Sequence, residues 1–121
     1  NCLSWNYRGG GNTRTVRELV TLCKSRSLML VFLCETRQNE GKMRRIRTKL
    51  GLKGFCGVDS NGMSGGLALY WSEDCVVEIL DKKDRFIDTV IRVREGATQW
   101  RPTFLYGEPC VETRHLMWTK L

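Results

Sequence analysis

LMLVFLCETR, residues 28–37, begins with seven consecutive apolar residues that lead directly into a glutamate. An apolar run of this length without alternation is typical of a β-strand that is buried on both faces. Strands of this kind occur in sheets that other layers cover, so the run indicates an α/β protein. The run is far too short to cross a bilayer.

Two amphipathic helices are predicted on either side of this strand. Asn12 or Thr13 can cap the first helix. Its apolar positions fall on one face: Val16, Leu19, Val20 and Cys23. The second helix is predicted from about Asn39 to Leu50, again with one apolar side. An apolar segment that ends at Asn6 precedes the first helix and predicts a further strand.

Beyond Gly51 the sequence changes to short strands that turn-rich pieces separate. The predicted strands are FCGVDS (55–60), GLALYW (66–71), CVVEIL (75–80), FIDTVIRVR (86–94) and WRPTFLYG (100–107). A final helix is predicted from near Glu112. The order of elements predicts a single α/β domain over residues 1–121, with helices packed against a mixed sheet. The glycines in NGMSGG (61–66) are interpreted as a hairpin turn.

The chain has 121 residues and a formal charge of +7, and the charge is unevenly distributed. Residues 1–60 contain 12 Lys or Arg against 4 Asp or Glu. This bias suits a phosphate-rich partner such as DNA, although a solvated helix face explains it equally well. The candidate phosphate-contacting residues of the second helix are Lys42, Arg44, Arg45, Arg47 and Lys49.

Six cysteines are present, mostly within apolar runs, and the single histidine is His115. Because the spacing matches neither C-x-x-C nor a zinc site, we expect six reduced, buried thiols. Together with the lack of a visible signal peptide, this predicts an intracellular protein, nuclear or cytoplasmic, with no membrane association.

Three polar residues stand at predicted strand ends, where α/β proteins tend to place their sites. Glu35 follows the buried strand, Asn6 ends the first strand and Tyr106 lies near the end of the last. A carboxylate can hold Mg²⁺, an amide can orient a phosphate, and a phenol can donate to a phosphoryl oxygen. The alternative for Glu35 is that it has merely reached solvent or pairs with Arg37 or Arg8.

Four ordered motifs resemble the endonuclease/exonuclease/phosphatase superfamily, which has the DNase-I-like fold. They are SWNYRG (4–9), VFLCET (31–36), SGGLALYW (64–71) and FLYGEP (104–109). In detail the chain is similar to the endonuclease domain of plant LINE-type non-LTR retrotransposons. The resemblance implies a four-layered α/β-sandwich, of which this chain is the N-terminal half, and Mg²⁺-dependent cleavage of DNA.

The resemblance also implies roles for individual residues. Asn6 matches an asparagine near the metal and nucleophile, Glu35 the metal-binding glutamate, and Tyr106 the tyrosine that approaches the scissile phosphate. Arg8 stands where some relatives have an acidic residue, and is a further candidate for binding nucleic acid. The family's Gly-Asp-Phe-Asn and Ser-Asp-His motifs do not occur in the sequence.

Without those motifs, we expect a truncated, retrotransposon-derived protein that lacks nuclease activity alone and binds protein or nucleic acid. Asn6, Glu35 and Tyr106 are then vestigial, and Mg²⁺ binding is weak or absent. The alternative is one part of a Mg²⁺-dependent DNA endonuclease that other residues or another chain complete. If only one sheet of the sandwich is present, its apolar face lacks a cover, which predicts a homo-oligomer or a protein partner.

Overall fold

The computed structural model of the chain describes residues 2–7, 13–61, 65–94 and 99–106. Two helices lie in these ranges, α1 (Thr13–Arg26) and α2 (Glu40–Leu50). The strands in these ranges are β1 (Cys2–Asn6), β2 (Leu30–Cys34), β3 (Gly54–Val58), β4 (Leu67–Trp71), β5 (Cys75–Lys83), β6 (Phe86–Val93), β7 (Gln99–Trp100) and β8 (Thr103–Leu105). The predicted positions of Arg8, of the final helix near Glu112 and of His115 lie outside the described residues.

The first sheet has the strand order β1-β2-β4-β3. β1 and β2 are parallel because α1 connects them and returns the chain to the same end of the sheet. β4 is antiparallel to both β2 and β3. In this register Asn6 lies opposite Cys34, and Cys34 lies opposite Leu67. The ends of β1 and β2 and the start of β4 therefore form one edge, here called the polar edge.

Both helices pack on one face of this sheet. Apolar side chains of α1 and α2 form a buried cluster with the side chains of β2 and β4 that point to that face. Tyr70 in β4 is fully buried in this cluster, and its hydroxyl donates to the Met43 carbonyl at 2.6 Å. Asn39 caps α2 by accepting a hydrogen bond from the Lys42 N–H at 2.8 Å. The predicted second helix is confirmed.

The second sheet has the order β5-β6-β7. β8 also pairs with β6, at residues 86–88, whereas β7 pairs at residues 91 and 92. The strand predicted over residues 100–107 is wrong as a single strand, because the chain pairs as two short pieces on either side of Pro102. Proline has no N–H to donate to a strand ladder. The Pro102 carbonyl instead accepts from the Thr89 N–H at 3.2 Å and from its hydroxyl at 2.9 Å.

The two sheets pack face to face. Phe32 of the first sheet and Phe104 of the second are both buried, with ring centroids 5.2 Å apart. Leu69 and Ile91 are also fully buried in this layer. An uncovered apolar face is expected if only one sheet of the sandwich is present. Two sheets are present and they cover each other, with β4 in the first and β6 in the second.

The described residues thus form three layers: the helices, the first sheet and the second sheet. This confirms an α/β fold with a mixed, mainly antiparallel sheet and helices on one of its faces. On the outer face of the second sheet, three large apolar side chains are 37 to 43% exposed: Val76, Leu80 and Leu105. No helix among the described residues is long and apolar enough to cross a membrane.

The cysteines follow the sequence prediction only in part. Four are buried and reduced, namely Cys23, Cys34, Cys56 and Cys75. Cys2, in contrast, forms a disulfide, so the prediction of six reduced thiols is wrong at this position. The spacing of the cysteines in the sequence carries no signal for this bridge.

Candidate active site

The parallel pairing of β1 and β2 brings Asn6 and Glu35 together at the polar edge. Asn6 is the last residue of β1, and Glu35 directly follows β2. The next residue, Tyr7, donates its backbone N–H to the Cys34 carbonyl at 2.8 Å, which continues the pairing beyond both strands. The Asn6 and Glu35 side chains form a hydrogen bond with each other.

The loop after β2 has an unusual backbone. Glu35 and Arg37 both adopt left-handed conformations, with φ of 56° and 54°. Non-glycine residues adopt this conformation at an energetic cost, and such residues concentrate at functional sites. Thr36 between them is fully buried. The loop therefore directs Glu35 and Arg37 outwards while Thr36 anchors it to the protein.

Two glycines before β4 hold this loop in place. The Thr36 N–H donates to the Gly66 carbonyl at 3.2 Å, and the Arg37 N–H donates to the Gly65 carbonyl at 2.9 Å. A Cβ atom on Gly66 would lie 2.2 Å from the Thr36 Oγ1, and the φ of Gly66 is 95°. Only glycine fits there. The sequence interpretation of this pair as turn residues therefore missed their role in supporting Glu35.

Tyr106 reaches the same edge from the second sheet. It follows β8, and its backbone N–H donates to the Arg85 carbonyl at 2.8 Å. The Arg85 guanidinium carbon lies 5.4 Å from the centroid of the Tyr106 ring, within the range of a cation–π contact. The Tyr106 and Glu35 side chains are hydrogen-bonded. The structure therefore brings Asn6, Glu35 and Tyr106 together.

Four side chains determine the electrostatics of this cluster. The Arg37 Nη2 lies 3.3 Å from the Glu35 Oε1. Its hydrogen bond, followed by that of Asn6 and then that of Tyr106, lowers the pKa of the Glu35 carboxyl against an opposing effect of burial. Burial first, and the adjacent Glu35 carboxylate second, raise the pKa of Tyr106. At neutral pH the cluster therefore combines an ionised carboxylate with a protonated phenol.

The oxygen atoms of this cluster suit a hard divalent cation. Glu35 supplies a carboxylate and Asn6 an amide oxygen, and Mg²⁺ prefers such ligands while it keeps several waters. In the part of the chain that the structure describes, no group of three or more His, Cys, Asp or Glu side chains could hold a metal ion. The cluster fits a cation that is held mainly by one carboxylate, and this favours weak binding.

A cleft of about 220 Å³ lies beside the cluster and shares Tyr106 with it. Its other lining residues come from the loops after β3, before β4 and between β5 and β6: Asp59, Asn61, Gly65, Gly66, Asp84 and Arg85. Of these residues, sequence reasoning singled out only Asn61, Gly65 and Gly66, as part of a predicted turn, and it did not select Asp59, Asp84 or Arg85. DKKDR (81–85) carries no motif, and only the pairing of β6 with β8 brings Arg85 beside Tyr106.

The structure does not bring the basic residues of α2 into this cluster. Arg44 pairs with Glu40 at 2.7 Å and lies 5.5 Å over the Phe55 ring. Arg47 donates to the Lys53 carbonyl at 2.6 Å. Since α2 rises about 1.5 Å per residue, its basic side chains extend over about 10 Å on the helical face. Three of them are exposed and hold no such contact with any residue that the structure describes: Lys42, Arg45 and Lys49.

Comparisons with known proteins support this fold. No family model matches the sequence, and a search of curated proteins finds no match. Among solved structures, AP endonuclease LMAP from Leishmania major matches 88% of the chain with a TM-score of 0.59 and 12% identity. TDP2 from D. rerio, complexed with a single strand DNA product, matches 84% with a TM-score of 0.56 and 12% identity. The 3'-5' exonuclease NExo from Neisseria meningitidis matches 96% with a TM-score of 0.51 and 15% identity.

At these identities the likeness shows the fold. The chain has the α/β architecture of DNase-I-like folds. It spans 40%, 43% and 47% of the three matched chains, which is less than half of each. The activities in the names of these proteins belong to chains more than twice the length that matches here.

Proposed function

We propose that this chain supplies the metal- and phosphate-binding half of a DNase-I-like nuclease, and that alone it binds DNA without cleaving it. The observation that carries the proposal is the convergence of Asn6, Glu35 and Tyr106 on the polar edge. An amide, an ionised carboxylate and a phenol in hydrogen-bond contact suit a phosphodiester that is neutralised by a divalent cation.

Each residue of the cluster has a defined role in this proposal. Glu35 holds Mg²⁺, which when bound would neutralise negative charge on the phosphodiester. Asn6 orients the Glu35 carboxylate and the phosphate next to it. Tyr106 would redirect its phenolic proton from Glu35 to a non-bridging phosphate oxygen when a phosphodiester binds, and its raised pKa keeps the phenol protonated at neutral pH. Together these groups bind and orient a phosphodiester.

Cleavage requires a further group that activates the attacking water. The resemblance assigns this role to the Ser-Asp-His motif, and the positioning of nucleophile and leaving group to Gly-Asp-Phe-Asn. Neither motif occurs in these 121 residues. We therefore propose binding as the function of the chain alone. The alternative is a complete Mg²⁺-dependent endonuclease, to which a longer polypeptide or a second chain contributes these groups.

The origin proposed for the chain is a LINE-type retrotransposon of plants. The four ordered motifs, from SWNYRG to FLYGEP, support this origin. They include all three residues of the cluster. The proposal also includes a protein partner or a second copy. What supports a partner is the outer face of the second sheet, where Val76, Leu80 and Leu105 are more than a third exposed.

The test combines cleavage with binding. Supercoiled plasmid is incubated with the chain and Mg²⁺, and binding of a fluorescent duplex is measured by anisotropy over a range of salt concentrations. The proposal predicts no nicking, and salt-sensitive binding that Glu35→Gln alters only when Mg²⁺ is present. Nicking that Glu35→Ala abolishes would show that the chain cleaves DNA by itself, which would contradict the proposal. No DNA binding at low salt would contradict both.

A further inference from the structure

The Glu35 carboxylate already has a cation beside it. The Arg37 guanidinium lies 3.3 Å from the Glu35 Oε1, and the two side chains are 42% and 23% exposed. A divalent cation at this site would bind the same carboxylate group, of which Arg37 contacts Oε1. Arg37 and the cation therefore compete for one ligand.

The backbone around Arg37 prevents the loop from moving away to resolve this competition. Arg37 is fixed in a left-handed conformation, and its N–H is bonded to the Gly65 carbonyl. Thr36, buried and bonded to Gly66, anchors the same loop from the other side. The Arg37 side chain is the more exposed of the two, and its guanidinium has room to rotate into solvent.

We propose that Arg37 is an internal counter-ion of this site, which neutralises Glu35 until a divalent cation displaces it. The inference rests on the proposed metal-binding role of Glu35 and adds regulation of that site. Arg37 is a positioning residue in this account, since it acts on the cation only through Glu35. Exposed ion pairs are weak, so displacement lowers the affinity for the cation by only about two- to fivefold.

The competing interpretation is that Arg37 stabilises the loop and leaves metal binding unaffected. The two interpretations predict different effects of removing the charge. A counter-ion lowers cation affinity while it is present, so its removal tightens binding. A purely structural arginine helps hold Glu35 in place, so its removal leaves binding unchanged or weakens it.

The experiment measures Mn²⁺ binding by the chain at constant ionic strength, using the electron paramagnetic resonance signal of the free ion. Mn²⁺ is a suitable probe because it accepts the same oxygen ligands as Mg²⁺. We expect Arg37→Gln to bind Mn²⁺ about two- to fivefold more tightly than the wild type. Arg37→Lys, which keeps the charge, should stay closer to the wild type than Arg37→Gln does.

Two matched variants serve as controls. Arg101→Gln removes the same charge from an arginine that lies 4.0 Å from Asp88 and has no contact with Glu35, and it should leave the affinity unchanged. Arg37→Asn also removes the charge but tolerates the left-handed backbone, so it should reproduce the tighter binding if Arg37→Gln disturbs the loop.

The outcomes separate this inference from the proposed function. If Glu35→Gln abolishes Mn²⁺ binding while Arg37→Gln and Arg37→Asn bind no more tightly than the wild type, the counter-ion role is wrong and the metal site stands. An equal gain in Arg101→Gln would also overturn the inference, because the effect would then be general electrostatics. If Glu35→Gln binds as well as the wild type, the metal site and its counter-ion both fail.

Discussion

The polar edge and helix α2 both looked functional in the sequence, yet they use their polar groups in different ways. At the polar edge, residues from distant parts of the chain converge on the Glu35 carboxylate. On α2, Arg44 and Arg47 make contacts with their own helix or the loop that follows it. Clustering along the sequence therefore did not predict clustering in space, whereas position at the end of a strand did.

The physical reason lies in the geometry of the two elements. Parallel strands such as β1 and β2 end at the same edge, so residues at their ends are neighbours whatever their separation along the chain. A helix instead distributes consecutive residues around its axis and along its length. A helical charge run then finds partners one turn away, as Arg44 does with Glu40.

The largest difference between the two regions is expected in the unfolding free energy that is lost when a glycine of each is replaced by alanine. Gly66→Ala forces a Cβ to within 2.2 Å of Thr36 and strains a φ of 95°. We expect it to lower the free energy of unfolding by about 3 kcal/mol. Gly51→Ala at the end of α2 meets open space at a φ of 73°, and should cost only about 1 kcal/mol. Urea denaturation of both variants measures the difference, and equal losses would contradict the tight fit at the polar edge.

High pH is expected to destabilise the helical layer. Burial raises the pKa of Cys23 to about 11 from its usual 9.0. Because the folded state binds the proton more tightly, this contribution to stability is complete below pH 9 and is lost as the pH rises through 11. The loss amounts to about 3 kcal/mol. Cys23→Ala should flatten the fall in unfolding free energy between pH 9 and 11, and an unchanged slope would contradict the assignment to Cys23.

Two tyrosines buried between the helices and the first sheet should respond differently to loss of the hydroxyl. Tyr70→Phe removes the donor to the Met43 carbonyl, and we expect it to cost about 1 kcal/mol. The Tyr7 hydroxyl is buried with no hydrogen-bond partner among the described residues. Tyr7→Phe should therefore be neutral or stabilise the fold by up to about 1 kcal/mol. Thermal denaturation compares the two, and a greater loss for Tyr7→Phe would reveal a bond to that hydroxyl.

The smallest effect is expected at the ion pair on α2. Arg44→Gln removes an exposed pair with Glu40 and should change the unfolding free energy by no more than about 0.5 kcal/mol. It should also leave the salt dependence of DNA binding unchanged, because its guanidinium already has two partners within the protein. A salt slope reduced by about one unit would show instead that Arg44 contacts a phosphate.

Much of the fold could be predicted because its signals are local. The apolar run before Glu35 identified β2 as a strand buried on both faces, and all five of its residues are buried. Asn39 and Gly51 mark the ends of α2 through the hydrogen bonds that terminal residues supply. Placing Asn6 and Glu35 on one edge followed from these assignments and the connection between them.

What could not be predicted depends on contacts between distant segments. The left-handed backbone of Glu35 and Arg37 exists because the glycines before β4 bind that loop. The second sheet covers the first because β5 to β8 fold back over it. The alternation of apolar and polar residues along a single strand does not determine this arrangement. The disulfide of Cys2 likewise has no signature in the spacing of the cysteines.

The most direct test of the central claim is a nuclear magnetic resonance titration of the isotopically labelled chain with Mg²⁺. If the cluster binds the cation, the side-chain amide signal of Asn6 and the carboxylate signal of Glu35 shift together, the signals of α2 do not, and Glu35→Gln abolishes the shifts. Shifts that concentrate at Asp81 and Asp84 instead, and persist in Glu35→Gln, would show that the polar edge is not a metal site.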